Sequence, residues 1–149
     1  MTDATSLVNG ASFASNGYLG TSMTKHIFLS FVEEDLALVR LFRGQARNKK
    51  SALEFDDYSV KVPYNSTNAA YIRSQIGTKI RAASVTIVLI GDDTYKSEWV
   101  AWEIAKSGEL GKTVIGVRLK ASVTIPAALT TARAQIIGWD IDAIVLAIG

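Results

Sequence analysis

Short apolar runs alternate with amphipathic segments along most of the chain. Each run is typical of a β-strand, and we predict about five strands, at 26–31, 53–58, 85–90, 113–119 and 135–139. The segments between them repeat apolar residues every three or four positions, as Leu36, Val39 and Phe42 do, which predicts amphipathic helices. We expect these helices at 33–47, 68–82, 98–110 and 141–148, with an irregular stretch or a short helix from Pro126.

The run from Val85 to Ile90 indicates what kind of sheet these strands form. It is continuously apolar and rich in β-branched residues, and Gly91 ends it. A strand of this composition is covered on both faces, as central strands of parallel sheets are. Strands that alternate with helices favour a parallel sheet with helices on both faces. We therefore predict an α/β fold, a flavodoxin-like doubly wound sheet of about five mainly parallel strands.

The first 24 residues depart from this pattern. They are rich in Ser, Thr, Ala, Gly and Asn, and their apolar residues are scattered: Leu7, Val8, Phe13, Tyr18 and Leu19. We predict an N-terminal arm over 1–24, followed by one domain over 25–149. Aromatic residues in a polar arm are more easily explained if they are buried against a neighbouring subunit. The arm is therefore expected to contribute to assembly. The alternative is a flexible N-terminal leader without that role.

Charge and composition exclude several classes of function. Sixteen Lys and Arg against fourteen Asp and Glu give a net charge of +2, too balanced for a dedicated nucleic-acid or membrane-surface protein. The arm lacks the basic and apolar parts of a signal peptide, and the longest apolar runs are too short to cross a bilayer. We expect a cytoplasmic protein with neither nucleic acid nor membrane as a partner.

Metal and thiol chemistry are also disfavoured. The chain has no cysteine, and its one histidine, His26, begins the first predicted strand. That position is far from the carboxyl ends of the strands, where ligands bind in doubly wound folds. We expect no metal site, and a reaction carried by carboxylates, hydroxyls and backbone groups.

The loops at those carboxyl ends are 31–35, 59–67 and 91–99. No glycine-rich phosphate loop follows the first strand, which disfavours a dinucleotide-binding Rossmann domain. The acids at 33–35 and at 92–93 resemble the acidic pocket of a response-regulator receiver, which is one alternative. Against it, Gly91 precedes the second group of acids, and no lysine ends the fourth strand before Arg118.

The segment after Gly91 carries the most informative chemistry. Trp99, Trp102, Glu103 and Lys106 are spaced by three and four residues and lie on one helical face. A carboxylate beside two indoles is partly desolvated, which raises its pKa and makes it a candidate functional group. The alternative is that both tryptophans pack against the sheet and Glu103 pairs with Lys106.

Several ordered blocks resemble one family. They are Ser30-Phe31 after the first strand, 65–72, the run 83–91, and Thr94-x-x-Ser97-x-Trp99-Val100-x-Trp102-Glu103-Ile104. Together they resemble the TIR-like family, and within it the bacterial TIR-like proteins of the Thoeris anti-phage system. The resemblance covers about 25–119. One departure is Val32-Glu33-Glu34, where relatives often carry an aspartate-tyrosine pair.

The resemblance implies a flavodoxin-like fold and a reaction. Many TIR domains cleave NAD⁺ at the nicotinamide–ribose bond, and Thoeris members produce a cyclic ADP-ribose isomer that activates a separate effector protein. NAD⁺ is then the substrate, with no further cofactor, and the signal reaches its effector by diffusion. The family's catalytic glutamate maps onto Glu103. The residues expected to bind substrate are Ser30, Phe31, Asp92, Thr94, Tyr95 and Trp99.

The family also implies how subunits meet. Catalytic TIR domains commonly complete their sites by self-association, and the loop after the second strand contacts a neighbour. Here that loop runs from Ser59 to Thr67 and is polar, so we expect it to meet another subunit, alone or together with the arm. Other TIR domains are scaffolds only, so a non-catalytic interaction module remains the alternative.

Overall fold

The computed structural model describes residues 24–58 and 62–149. Its strands are β1 (Lys25–Ser30), β2 (Leu53–Asp56), β3 (Val85–Ile90), β4 (Thr113–Arg118) and β5 (Gln135–Ile137). Its α-helices are α1 (Leu36–Lys49), α2 (Ala69–Ala82), α3 (Glu98–Glu109), α4 (Ala127–Thr131) and α5 (Ile141–Ile148). Single 3₁₀ turns span Glu33–Asp35 and Thr94–Lys96.

The strands form one sheet in the order β2-β1-β3-β4-β5, and every pairing within it is parallel. This is the flavodoxin-like order, so the predicted fold is confirmed. Four strands end one or two residues earlier than predicted, and β3 and α5 have the predicted bounds.

The largest difference in the boundaries lies at the start of α1. The acids at 33–35 were expected to open this helix, but the amide of Asp35 donates to the carbonyl of Val32 at 3.0 Å. That bond closes a 3₁₀ turn, and α1 begins only at Leu36. The acids are therefore presented at the carboxyl end of β1 rather than along the first turn of α1.

Alternation along β1 divides the core between the two faces of the sheet. Ile27 and Leu29 pack in the cluster that contains residues of α1 and α5. Phe28 packs on the opposite face with apolar residues of α2, and Ser30 has the same parity as Phe28. The last residue of β1 therefore directs a hydroxyl, rather than an apolar group, towards the α2 and α3 layer.

Some predictions fall outside the described residues. The predicted arm over 1–24 lies there except for Thr24, and so do residues 59–61 of the loop after β2. Among the helices of the described ranges, none is long and apolar enough to cross a membrane.

The buried face of α1 provides a test of the packing. Phe42 is 0% exposed, and its ring meets Phe55 and Trp139 edge to face at 6.0 and 6.3 Å. We expect Phe42→Ala to lower the free energy of unfolding by about 3–5 kcal/mol, because it leaves a cavity. The neighbouring Leu41 is 52% exposed, so Leu41→Ala should change it by less than about 0.5 kcal/mol. Equal losses in urea titrations of the two variants would contradict this packing.

Candidate active site

A cleft of about 270 Å³ opens at the carboxyl end of β1, between the segment that follows β2 and the first half of α3. The chain leaves β1 towards β2 on one side, and β3 lies on the other, so this is the topological switch point of the sheet. The cleft is lined by Phe31, Val32, Glu33, Glu34, Tyr58, Ser97, Trp99 and Glu103. Its position agrees with the crevice expected from the fold.

Glu103 and Ser30 form the central contact of this cleft. The Ser30 Oγ donates a hydrogen bond to Glu103 Oε1 at 2.5 Å, between residues 73 positions apart in sequence. Ser30 is 1% exposed and Glu103 is 4% exposed. The bond joins the last residue of β1 to the middle of α3.

Hydroxyl groups fix the helix that carries Glu103. The Ser97 side chain caps α3 by accepting from the amide of Val100 at 3.1 Å. One turn after Glu103, the Ser107 hydroxyl donates to the Glu103 carbonyl at 2.8 Å. Ser107 Oγ also lies 2.7 Å from the Thr86 hydroxyl of β3, and both side chains are fully buried. The carboxyl group is therefore held on a helix that is anchored to the sheet.

The surroundings of Glu103 shift its protonation. Burial raises the pKa of its carboxyl from an ordinary 4.5 to about 8, and the charge of Asp57 adds to the increase. The hydrogen bond from Ser30 acts in the opposite direction because it favours the carboxylate. At neutral pH the free protein therefore holds Glu103 mainly as the carboxylic acid.

The predicted pairing of Glu103 with Lys106 is wrong. The Lys106 ammonium binds Glu109 at 3.2 Å on the outer part of α3. The other part of that alternative, the packing of both tryptophans, is correct, since Trp99 and Trp102 pack against the cluster of Phe28 and α2 residues. Trp99 has a further role, because it also lines the cleft.

Four of the predicted site residues come together: Ser30, Phe31, Trp99 and Glu103. The other three do not line the cleft. Asp92 binds Lys120 at 2.5 Å, and the buried Thr94 accepts from the Gly91 amide at 2.8 Å. Tyr95 is 46% exposed. Their role in substrate binding stays a prediction without support from this geometry.

Five lining residues were missed as site residues: Val32, Glu33, Glu34, Tyr58 and Ser97. Tyr58 lies two residues beyond the end of β2, and Ser97 caps α3. The rule that placed the ligand at the carboxyl ends of the strands identifies Tyr58 as well, once β2 is known to end at Asp56. Ser97 was recognised only as part of the motif that resembles the TIR-like family.

An acidic group beside the cleft corresponds to the receiver alternative. Burial raises the pKa of Asp35, and the charges of Glu34, Asp92 and Asp93 raise it further. Over 24–58 and 62–149, however, no group of three or more His, Cys, Asp or Glu side chains is arranged to hold a metal ion. Two of these acids, Glu33 and Glu34, line the cleft and give it negative charge.

The raised pKa of Glu103 predicts how stability changes with pH. Between about pH 4.5 and pH 8 the folded protein binds a proton that the unfolded chain has released, so the free energy of unfolding falls as pH rises. Glu103→Gln cannot ionise and should lack this decline. In urea titrations, the free energy of unfolding of the wild type should fall by a few kcal/mol more than that of this variant between about pH 5 and pH 9. Parallel pH profiles for the two proteins would contradict the assignment.

Comparison with known proteins identifies the family. Residues 28–124 match the family model described as "Thoeris protein ThsB, TIR-like domain". A curated Bacillus cereus (strain MSX-D12) protein, ThsB1, designated a candidate cyclic ADP-D-ribose synthase, is 33% identical over 103 residues. That match covers 66% of this chain and 54% of the relative, so the chain spans about half the length of this relative.

Two solved structures are similar. A 2-deoxyribosyltransferase from Bacillus psychrosaccharolyticus superimposes with a TM-score of 0.56 at 22% identity, over 80% of this chain and 89% of that one. The TIR domains of the activated Roq1 resistosome give a TM-score of 0.45 at 21% identity, over 63% and 57%. The first of these shows a shared fold alone. By the family match over most of its strands and helices, the chain belongs to the TIR-like domain family of Thoeris ThsB proteins.

Proposed function

We propose that the chain is an enzyme that cleaves NAD⁺ at the nicotinamide–ribose bond and produces a cyclic ADP-ribose-type signal in anti-phage defence. The observation that carries this proposal is the buried Glu103 carboxyl, which Ser30 holds at 2.5 Å in the switch-point cleft. The family, and the designation of the Bacillus cereus relative as a candidate cyclic ADP-D-ribose synthase, support this choice of substrate.

The reaction requires little more than a well-placed carboxylate. The bond from ribose C1′ to the nicotinamide nitrogen breaks, and nicotinamide leaves as a neutral molecule with the bonding electron pair. Positive charge then develops on the ribose as an oxocarbenium ion, which a nearby carboxylate stabilises as in glycoside cleavage. Glu103 supplies that carboxylate, and the Ser30 hydroxyl orients it and favours its ionised form.

The lining of the cleft suits the nicotinamide end of the substrate. Glu33 and Glu34 contribute acidic side chains, and Phe31, Tyr58 and Trp99 contribute aromatic ones. A cationic pyridinium ring is attracted both by carboxylates and by the faces of aromatic rings. Its arrival also lowers the pKa of Glu103, because a neighbouring positive charge favours the carboxylate.

The fate of the ribosyl cation decides the product. Attack on C1′ by an adenine nitrogen or a ribose hydroxyl closes the ring, and the nucleophile's proton, where it carries one, is lost to solvent. The products are then nicotinamide and a cyclic ADP-ribose isomer, together with a proton when a hydroxyl attacks, whereas attack by an unprotonated adenine nitrogen transfers the positive charge to the adenine ring. Attack by water yields linear ADP-ribose instead, and a cleft that excludes water favours cyclisation.

The size of the cleft supports self-association as part of this proposal. Its volume of about 270 Å³ is at the lower limit of small-molecule sites, roughly 300–1,000 Å³. A whole dinucleotide extends beyond it, so we expect a neighbouring subunit to cover the remainder. The predicted contacts are the Ser59–Thr67 loop, the arm, or both, and the product then diffuses to a separate effector.

The carboxylate of Glu103 can be tested against a matched carboxylate on the same helix. Glu103→Gln should reduce nicotinamide release from NAD⁺ by about 10²-fold or more, the usual loss when one electrostatic group is removed. Glu109→Gln makes the same chemical change at an exposed position and should leave turnover unchanged. A folded Glu103→Gln protein with normal turnover contradicts the proposal. A wild type that releases no nicotinamide, with and without the phage trigger, supports the interaction-module alternative.

The pH dependence of the reaction should follow the ionisation of Glu103. Because the carboxylate is the active form and its pKa is about 8, kcat/KM should rise with pH and level off above about 8. The midpoint of the kcat profile should lie at a lower pH than that of the kcat/KM profile, since bound nicotinamide stabilises the carboxylate. Ser30→Ala removes the hydrogen bond that favours ionisation and should move the kcat/KM profile to higher pH. A flat or falling kcat/KM profile from about pH 5 to pH 9 would count against this role.

A further inference from the structure

Trp99 is held in the cleft by a segment that precedes α2. The Trp99 indole Nε1 donates to the carbonyl of Val62 at 3.2 Å. The Tyr64 ring meets the same indole edge to face, with centroids 5.0 Å apart and an angle of 74° between the planes. The aromatic wall beside Glu103 therefore depends on residues 62–64 as well as on α3.

Arg73 of α2 contacts both of these rings. Its guanidinium carbon lies 4.9 Å from the centroid of Tyr64 and 5.8 Å from that of Trp99. Its Nη1 also lies 3.5 Å from the Tyr64 carbonyl, at the outer limit of a hydrogen bond. Among the described residues no carboxylate forms an ion pair with this guanidinium. Its polar and cationic contacts are thus made with segment 62–64 and the indole.

The chemistry of the contact requires arginine. A guanidinium is planar and stacks on aromatic faces while its N–H groups donate to a carbonyl. A lysine ammonium is a compact, strongly hydrated charge that does not reproduce this stacking. Arg73 does not line the cleft, so any effect on the reaction passes through Trp99.

We propose that Arg73 is a positioning residue that locks segment 62–64 onto Trp99 and thereby sets the substrate-binding wall of the cleft. Its catalytic consequence rests on the proposed function, whereas its effect on Trp99 does not. Glu103 is held separately, by Ser30 and by the cap of α3. Loss of Arg73 therefore weakens substrate binding and leaves the chemical step intact.

The kinetic experiment compares two arginines of the same helix. Arg73→Gln should raise KM for NAD⁺ roughly 3- to 30-fold, the range that corresponds to one cation–π contact, with kcat within about twofold. Arg81→Gln, at an exposed position near the end of α2, is the matched control and should change neither constant. Arg73→Lys should not restore KM. Full rescue by lysine, or equal KM values for the two glutamine variants, overturns the proposal.

A spectroscopic experiment tests the contact without relying on turnover. In a background with Trp102→Phe and Trp139→Phe, Trp99 is the sole indole, and urea titration verifies that the protein is folded. Arg73→Gln should increase acrylamide quenching of its fluorescence, as should Tyr64→Leu. The double variant should show no more quenching than either single variant, because both substitutions disrupt the same contact of Arg73 and Tyr64 with Trp99. Unchanged quenching or full additivity overturns the clamp, whereas absence of NAD⁺ cleavage together with increased quenching contradicts only the proposed function.

Discussion

The hydrogen bond between Ser30 and Glu103 is the constraint on which the rest of the site depends. Burying a carboxyl group until it is 4% exposed is costly unless a partner forms a hydrogen bond with it. Its partner here is the hydroxyl at the end of β1, and a helix capped by Ser97 and anchored through Ser107 keeps the two groups aligned. Replacing either partner leaves a buried polar group unsatisfied, so packing of α3 against the sheet and the geometry of the site are coupled.

Topology explains why these two residues meet at all. In the order β2-β1-β3 the strand order reverses at β1, because β2 and β3 lie on opposite sides of it. This reversal leaves a crevice at the carboxyl end of β1. Because strand residues alternate between the two faces, Ser30 faces the layer of α2 and α3, whereas Leu29 enters the opposite core. A shift of one residue in β1 would place a leucine against Glu103 and the hydroxyl among apolar side chains.

Much of this arrangement could be predicted from local sequence. The β-branched run of β3, the serine cap of α3 and the glutamate beside two tryptophans are each signals carried by a few neighbouring residues. The predicted binding roles of Asp92 and Thr94 gain no support from the geometry, and the partners of these residues are not evident from the sequence: Asp92 pairs with Lys120, and the Thr94 hydroxyl accepts from the Gly91 amide. The contacts of Trp99 with residues 62–64 join segments about 37 residues apart, and no periodic pattern reports them.

Burial gives Glu103 two opposing properties. It holds the carboxyl mainly protonated in the free protein at neutral pH, where the charge would destabilise the fold. It also provides the low-dielectric surroundings in which a carboxylate acts most strongly on a developing positive charge. A cationic substrate reconciles the two, because its approach favours the charged form at the moment when that form is needed. Stability of the free domain and reactivity of the complex are therefore set by the same few contacts around one side chain.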